Sequence, residues 1–322
     1  MNLPSSDDVL AAWRTIAPLL PRSPLVPAGR TCGGRPLLLK AESLMPTGSF
    51  KIRGATHVIA QLDAAQRARG VVAYSTGNHA QAVGKAAADA GVRATVVMSP
   101  DAPAAKIDAT RGYGAEVVMA PSDSQARRLL AEQLARERGA VLVPPYDDAR
   151  IVAGQGTIAL ELLEQLGDLR PAAVYVPVGG GGLISGIATA LAGLSPGTRV
   201  VGVEPELEDD ACRSWQAGEI VTGTATASIA DAVKVQRIGD LTFALMRKHV
   251  HAMRTVPEQA MARAALECFD RWRLVVEPAG ALGLAAARDH EDDASDAQRP
   301  VVVIASGGNT SLEALQALRA LA

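Results

Sequence analysis

Aromatic residues are scarce in this chain: phenylalanine, tryptophan and tyrosine together make up 3% of its 322 residues. Net charge is −2 at pH 7, and no basic stripe with interleaved aromatics appears, which removes the footprint of a nucleic-acid-binding surface. Long apolar runs are missing too, and none approaches the roughly 18 residues that would suggest a membrane span. The start, Met1-Asn2-Leu3-Pro4-Ser5-Ser6-Asp7-Asp8, lacks a basic segment followed by an apolar one, so no signal peptide is expected. Cysteine occurs three times, at Cys32, Cys212 and Cys268. An odd number at wide spacing argues for reduced thiols in a cytoplasm, against a disulfide framework or a zinc site. Lysine is the last scarcity, with six among 32 basic residues. Where charge alone is wanted this chain uses arginine, so each lysine invites a chemical reason.

What remains is a globular balance of 48% hydrophobic and 20% charged residues, in a length that fits two domains. Short β-branched runs alternate with alanine-rich helical stretches. Strands are predicted at Leu37–Lys40, Val71–Tyr74, Ala94–Met98, Glu116–Met119, Val141–Val143, Val174–Val178, Val200–Val203 and Val301–Ala305. Helices are predicted at Gln81–Ala90, Ala126–Arg138, Thr157–Leu166 and Glu258–Phe269. Near-continuous apolar strands alternating with helices mean parallel sheets covered on both faces. The expected class is therefore α/β, with two doubly wound parallel-sheet domains. Pro144-Pro145-Tyr146-Asp147-Asp148 is the best linker, because paired prolines neither continue a strand nor enter a helix interior. The expected division is a small domain at 71–143 inserted into a large one at 1–70 plus 144–322.

The run Pro46-Thr47-Gly48-Ser49-Phe50-Lys51-Ile52-Arg53-Gly54 holds a lysine in a turn of small residues. A partly buried lysine can lose its proton, and only the free amine forms an imine. Three strand-end turns accompany it. Gly179-Gly180-Gly181-Gly182 follows a predicted strand and opens a helical run, exposing backbone N–H groups beside the positive end of a helix dipole, as a phosphate cradle would. A dinucleotide fingerprint is the runner-up, since Glu204 lies 22 residues beyond Gly182, but no register satisfies G-x-G-x-x-G. Ser75-Thr76-Gly77-Asn78-His79 also opens a helix, where its side chains could cap the helix or its N–H groups hold an anion. Ser306-Gly307-Gly308-Asn309 is the third. Such turns at the carboxyl ends of parallel strands are where ligands bind.

Taken together these runs resemble the fold-type-II pyridoxal-phosphate enzymes, the threonine/serine dehydratase and serine racemase family. Ala153-Gly154-Gln155-Gly156-Thr157, Ile229-Ala230-Asp231 and Val276-Glu277-Pro278 add to the likeness, and the seven runs occur in family order from about residue 23 to 312. The resemblance implies roles residue by residue. Lys51 would hold pyridoxal 5'-phosphate covalently with Phe50 beside the ring, and Asn78 would meet its phenolic oxygen. Gly179, Gly180, Gly181 and Gly182 would take the phosphate, and Ser306 would face the pyridine nitrogen, with Glu277 in the same cofactor set. A neutral serine there favours prompt loss of a β-substituent over long-lived intermediates. The substrate carboxylate would bind at Ser75, Thr76, Gly77 and His79, with Asp231 also on the substrate side.

The implied reaction is β-elimination from a small β-hydroxy amino acid of the L-threonine or L-serine type, giving a 2-oxo acid and ammonia. Lys51, kept neutral by desolvation and a cationic neighbourhood, would remove the α-proton. Thr76 stands where the family's dehydratases often carry alanine and its racemases serine. A hydroxyl there keeps a racemase or 3-hydroxyaspartate dehydratase as the alternative. Glu204-Pro205-Glu206-Leu207-Glu208-Asp209-Asp210 matches the family's divalent-cation loop, in which Glu204, the Glu208 carbonyl and Asp210 would bind Mg²⁺ or Ca²⁺. The Arg127-Arg128 pair either faces a second substrate carboxylate or solvates a helix. With no second domain expected after the Ser306 run, the short catabolic dehydratases are the better match. A small-molecule substrate, no nucleic acid, no membrane and a homodimer complete the expectation.

Overall fold

The computed structural model describes residues 3–224, 226–289 and 298–322. Strands β1 (Leu25–Arg30) and β2 (Pro36–Lys40) come first, followed by β3 (Val71–Tyr74), β4 (Ala94–Met98), β5 (Glu116–Met119) and β6 (Val141–Leu142). Strands β7 (Ala173–Pro177), β8 (Arg199–Pro205), β9 (Ala252–Val256) and β10 (Val301–Ile304) complete the set. They form two sheets. The larger has the order β1-β2-β10-β7-β8-β9 and the smaller β5-β4-β3-β6. Every neighbouring pair is parallel except β1 with β2, so the chain is α/β with parallel sheets in two domains, as expected.

The larger sheet shows why its strands read as unbroken apolar runs. Ala173 and Tyr175 of β7 enter one core cluster and Val174 and Val176 the other. Val301 and Val303 likewise face one side of β10, and Val302 and Ile304 the opposite side. With helices on both faces, alternation cannot appear as polar and apolar residues, because both directions are interior. The smaller sheet shares its core with the helix Lys51–Ala60, through Ile52, Ala55, Val58 and Ile59. The same helix also packs against the helix Ala149–Leu166.

It is also tied down from behind by a buried ionic group. Arg53, 1% exposed, donates from Nε to Glu42 at 2.8 Å and from Nη1 to Glu161 at 3.0 Å. Lys40 pairs with the same Glu161 and donates to the Ser23 carbonyl at 2.8 Å. Buried charges persist only when paired and hydrogen-bonded, and this group meets both conditions. Sequence reasoning did not find it, because its members lie on β2, a 3-10 turn and two helices.

Two further strands were not expected, β1 and β9, which form the two edges of the larger sheet. The helix expected at Thr157–Leu166 begins at Ala149, where Asp148 accepts the N–H groups of Arg150 and Ile151 as its cap. Among the described residues no helix is long and apolar enough to cross a membrane.

Candidate active site

Lys51 is the first residue of its helix. The preceding turn is stitched to the run after β10: the Phe50 N–H donates to the Ser306 carbonyl at 3.0 Å, and the Gly308 N–H to the Gly48 carbonyl at 2.8 Å. Gly48 sits at φ 70°, where other residues are strained. The Lys51 amine donates to the Pro145 carbonyl at 2.7 Å and lies 5.1 Å from the Phe50 ring centroid. Although part of the residue keeps some exposure, its amine is enclosed by protein. Burial alone pushes the Lys51 pKa down to about 8. The expected cationic neighbourhood is not what lowers it.

Asn78 joins the other turns to this one. Its Nδ2 donates to Glu277 Oε1 at 2.6 Å, and its Oδ1 accepts from Asn309 Nδ2 at 2.8 Å. Asn309 Nδ2 also donates to the Thr47 carbonyl at 2.8 Å. Residues from four of the seven runs thus meet within one hydrogen-bonded set. Burial raises the Glu277 pKa, with Lys106 and the Asn78 donation pulling it back. His79 turns its ring away from the turn, pairing Nε2 with the Val143 carbonyl at 2.9 Å. Burial, with the Lys51 charge adding, lowers its pKa to about 3. The backbone N–H groups at the helix start, beside Ser75 and Thr76, are the candidates in this turn for holding an anion. Gly77 caps the helix and donates its own N–H to Ser75 Oγ at 3.2 Å.

The glycine run after β7 has a sharper explanation than a cradle alone. Gly181, at φ 87°, is the N-cap of the helix Gly182–Leu194. A side chain at Gly180 would overlap the Tyr146 ring, and one at Gly182 would come within 3.0 Å of Tyr146 Cβ. At Gly181 it would come within 2.9 Å of Thr242, and at Gly179 within 3.0 Å of Val233. Four glycines are thus demanded by four close approaches, two of them from the linker tyrosine, which sequence reasoning missed. Among the described residues no protein acceptor takes the N–H of any of the four. The hydroxyls of Thr47 and Ser49 and His79 Nδ1 are also buried without a protein partner. Buried polar groups left open in this way fit a polar ligand.

Four expected residues, Asp231 and the three of the cation set, lie outside this hydrogen-bonded set, although the Asp231 charge reaches Glu277. Asp231 is exposed and pairs with Lys234 at 2.9 Å. Of the cation set, Glu204 spends its carboxylate on the N–H groups of Ala211 and Cys212, at 3.2 and 2.6 Å. The Glu208 carboxylate accepts from Thr226 Oγ1 at 2.5 Å. Asp210 Oδ2 is buried without a partner, and burial with the nearby Glu208 raises its pKa to about 7. Among the described residues no group of three or more histidine, cysteine, aspartate or glutamate side chains is placed to hold a metal. The expected cation site is not preformed, because the Glu204 oxygens already accept N–H groups at the start of the helix Asp210–Ala217, and burial with the nearby Asp210 raises the Glu204 pKa well above the usual carboxylate range.

Comparison with known proteins adds to this geometry. Residues 16–307 match the family model described as pyridoxal-phosphate dependent enzyme. The chain belongs to that family. It is 42% identical over 97% of its length to an L-threo-3-hydroxyaspartate ammonia-lyase of a Pseudomonas species, covering 98% of it. It is 39% identical over 93% of its length to a serine racemase of Arabidopsis thaliana, covering 91% of that protein. Among solved structures, maize serine racemase superposes with a TM-score of 0.91 at 35% identity, over 99% of this chain and 98% of that one. The serine racemase from Dictyostelium discoideum gives 0.88 at 34% identity, over 96% and 99%. The family's cofactor fits the arrangement described, with one amine, an open run of N–H groups and unpartnered buried hydroxyls in one place.

Proposed function

We propose that this enzyme is an ammonia-lyase that converts a small β-hydroxy amino acid, of the L-serine or L-threonine type, to a 2-oxo acid and ammonia. The observation that carries the reading is the enclosed Lys51 amine, with a pKa of about 8, lying among turns whose polar groups are left open. Pyridoxal phosphate, when bound, supplies a carbonyl that condenses with amines and a ring that withdraws electrons from Cα.

The chain's own groups do the rest. Gly179 to Gly182 hold the phosphate with N–H groups beside the start of a helix. Asn78 and Ser306 flank the ring as neutral partners, with Glu277 fixing the Asn78 amide and Phe50 at its side. The carboxylate of the substrate lies at the start of the helix Asn78–Asp89, beside Ser75 and Thr76, where the dipole favours an anion. Lys51, uncharged for an appreciable fraction of the time near neutral pH, takes the proton from Cα and delivers one to the departing β-hydroxyl. The test is a visible absorption band on the purified protein that disappears in Lys51→Ala, together with 2-oxo acid formation from L-serine and L-threonine. A colourless wild type in excess cofactor ends this reading.

A second reading, a racemase or 3-hydroxyaspartate dehydratase, is favoured by Thr76, whose hydroxyl could return a proton opposite Lys51, and by the similarity to proteins with those names. Chiral analysis of serine after incubation tests the racemase version, and absence of the D-isomer removes it. The unpartnered Asp210 oxygen supports a divalent cation bound with Glu204 and the Glu208 carbonyl. Calorimetric titration with Mg²⁺ and Ca²⁺ checks this, and no heat from either removes it. The free thiols of Cys32, Cys212 and Cys268 suit a cytoplasm, and a homodimer follows the general prevalence of twofold assemblies.

A further inference from the structure

The helix Asp240–His249 begins without a cap of its own, since its N-cap is Gly239, which has no side chain to give. The cap is supplied by Asp147, in the linker that follows β6. Its Oδ2 accepts the Asp240 N–H at 3.1 Å, and its Oδ1 accepts those of Leu241 and Thr242 at 3.0 and 3.2 Å. A side chain at residue 239 would overlap this carboxylate, so the glycine is there because Asp147 fills the space. Three of the four N–H groups that a helix start leaves open are satisfied in this way, and the negative charge complements the dipole.

The fourth, of Gly239, donates to the Gly180 carbonyl at 3.4 Å, and the Thr242 hydroxyl donates to the same carbonyl at 2.7 Å. The Gly239 carbonyl, at 3.2 Å, is the farther of the two acceptors within that hydroxyl's reach. Thr242 is fully buried, and its own carbonyl accepts from Ser185 Oγ at 3.1 Å, so the residue is fixed at both ends. In a planar trans peptide the C=O and the N–H that follows it point in opposite directions. Two donors on the Gly180 carbonyl therefore turn the Gly181 N–H away from the helix Asp240–His249, and that N–H has no protein acceptor among the described residues. We propose that Thr242, held in place by Asp147, is a positioning residue that aims the Gly181 N–H at the cofactor phosphate. This rests on the phosphate reading of the glycine run and adds the residues that orient it.

The test titrates the cofactor-free full chain with pyridoxal 5'-phosphate and with pyridoxal, which lacks the phosphate, following the visible band. Thr242→Val keeps the side chain's size and removes its hydroxyl. It should weaken binding of the phosphorylated form by about 10–100-fold, and of pyridoxal by less than about threefold. Thr242→Ser should recover most of the affinity. Asp147 is exposed and acts through the helix start, so Asp147→Ala should weaken the phosphorylated form by about 3–10-fold. Asp147→Asn, which keeps an acceptor for Leu241 and Thr242, should lose less. In phosphorus NMR of the loaded enzyme, the resonance should move in Thr242→Val and return in Thr242→Ser. Equal losses on the two ligands, no loss in Thr242→Val or Asp147→Ala, or a Thr242→Ser loss as large as that of Thr242→Val each overturns the inference while leaving the phosphate reading intact. Should Thr242→Val fail to fold, the same two-ligand comparison in Asp147→Ala decides. A wild type that binds pyridoxal as tightly as pyridoxal 5'-phosphate overturns both.

Discussion

Burial lowers the pKa of both Lys51 and His79, at neighbouring points of one site. Removing water from an ammonium favours the neutral amine, so Lys51 is depressed to about 8 from 10.5 without help from a second cation. Addition of pyridoxal phosphate to cofactor-free protein should therefore show a rate of band formation that rises with pH to a midpoint near 8, and Lys51→Arg should form no band. Burial of the His79 imidazole holds its pKa near 3, against 6.5 for an exposed histidine. Below pH 6.5 the unfolded chain takes up a proton that the folded protein refuses, so stability falls as pH falls from 6.5 towards 3. At pH 5 that loss amounts to about 2 kcal/mol. His79→Gln should remove this part of the acid slope, as read from denaturant midpoints at pH 7 and pH 5.

At the scale of elements, the glycine turn and the linker are one packed unit. Gly180→Ala should force the Tyr146 ring aside, cost about 1–3 kcal/mol and weaken cofactor binding. Adding Tyr146→Ala should restore part of the stability, a coupling that a double-mutant cycle measures. Behind the Lys51 helix, Glu161→Ala should cost about 3–5 kcal/mol in thermal or denaturant unfolding, because it takes from Lys40 its carboxylate and leaves Glu42 alone to balance two buried cations. The central strands were legible because both faces are buried and their residues are uniformly apolar. Strands β1 and β9 were not: each pairs on one side only, and Pro27, Gly29 and Arg254 break the apolar pattern that marks an interior strand. The turns that open the site were legible from their small residues. Their connections were not. Asn78 and Glu277 are 199 positions apart, and Arg53 and Glu161 are 108, so no local pattern joins them.

Across the whole molecule, the five residues from Pro144 to Asp148 run from the smaller sheet's last strand to the helix Ala149–Leu166. Each part of that stretch holds something different. The Pro145 carbonyl takes the Lys51 amine, Tyr146 fills the space over Gly180, Asp147 accepts N–H groups of Leu241 and Thr242, and Asp148 caps the helix that begins at Ala149. Once Lys51 is committed to a cofactor, its bond to Pro145 is released while the other three remain. The linker then has one fastening fewer, and the carbonyl it frees must turn to water. Loading should therefore make this joint more compliant, and backbone hydrogens around Asp147 should exchange with solvent faster in the loaded enzyme than in the empty one. Stiffness at the joint would report, from outside the cleft, whether Lys51 is engaged.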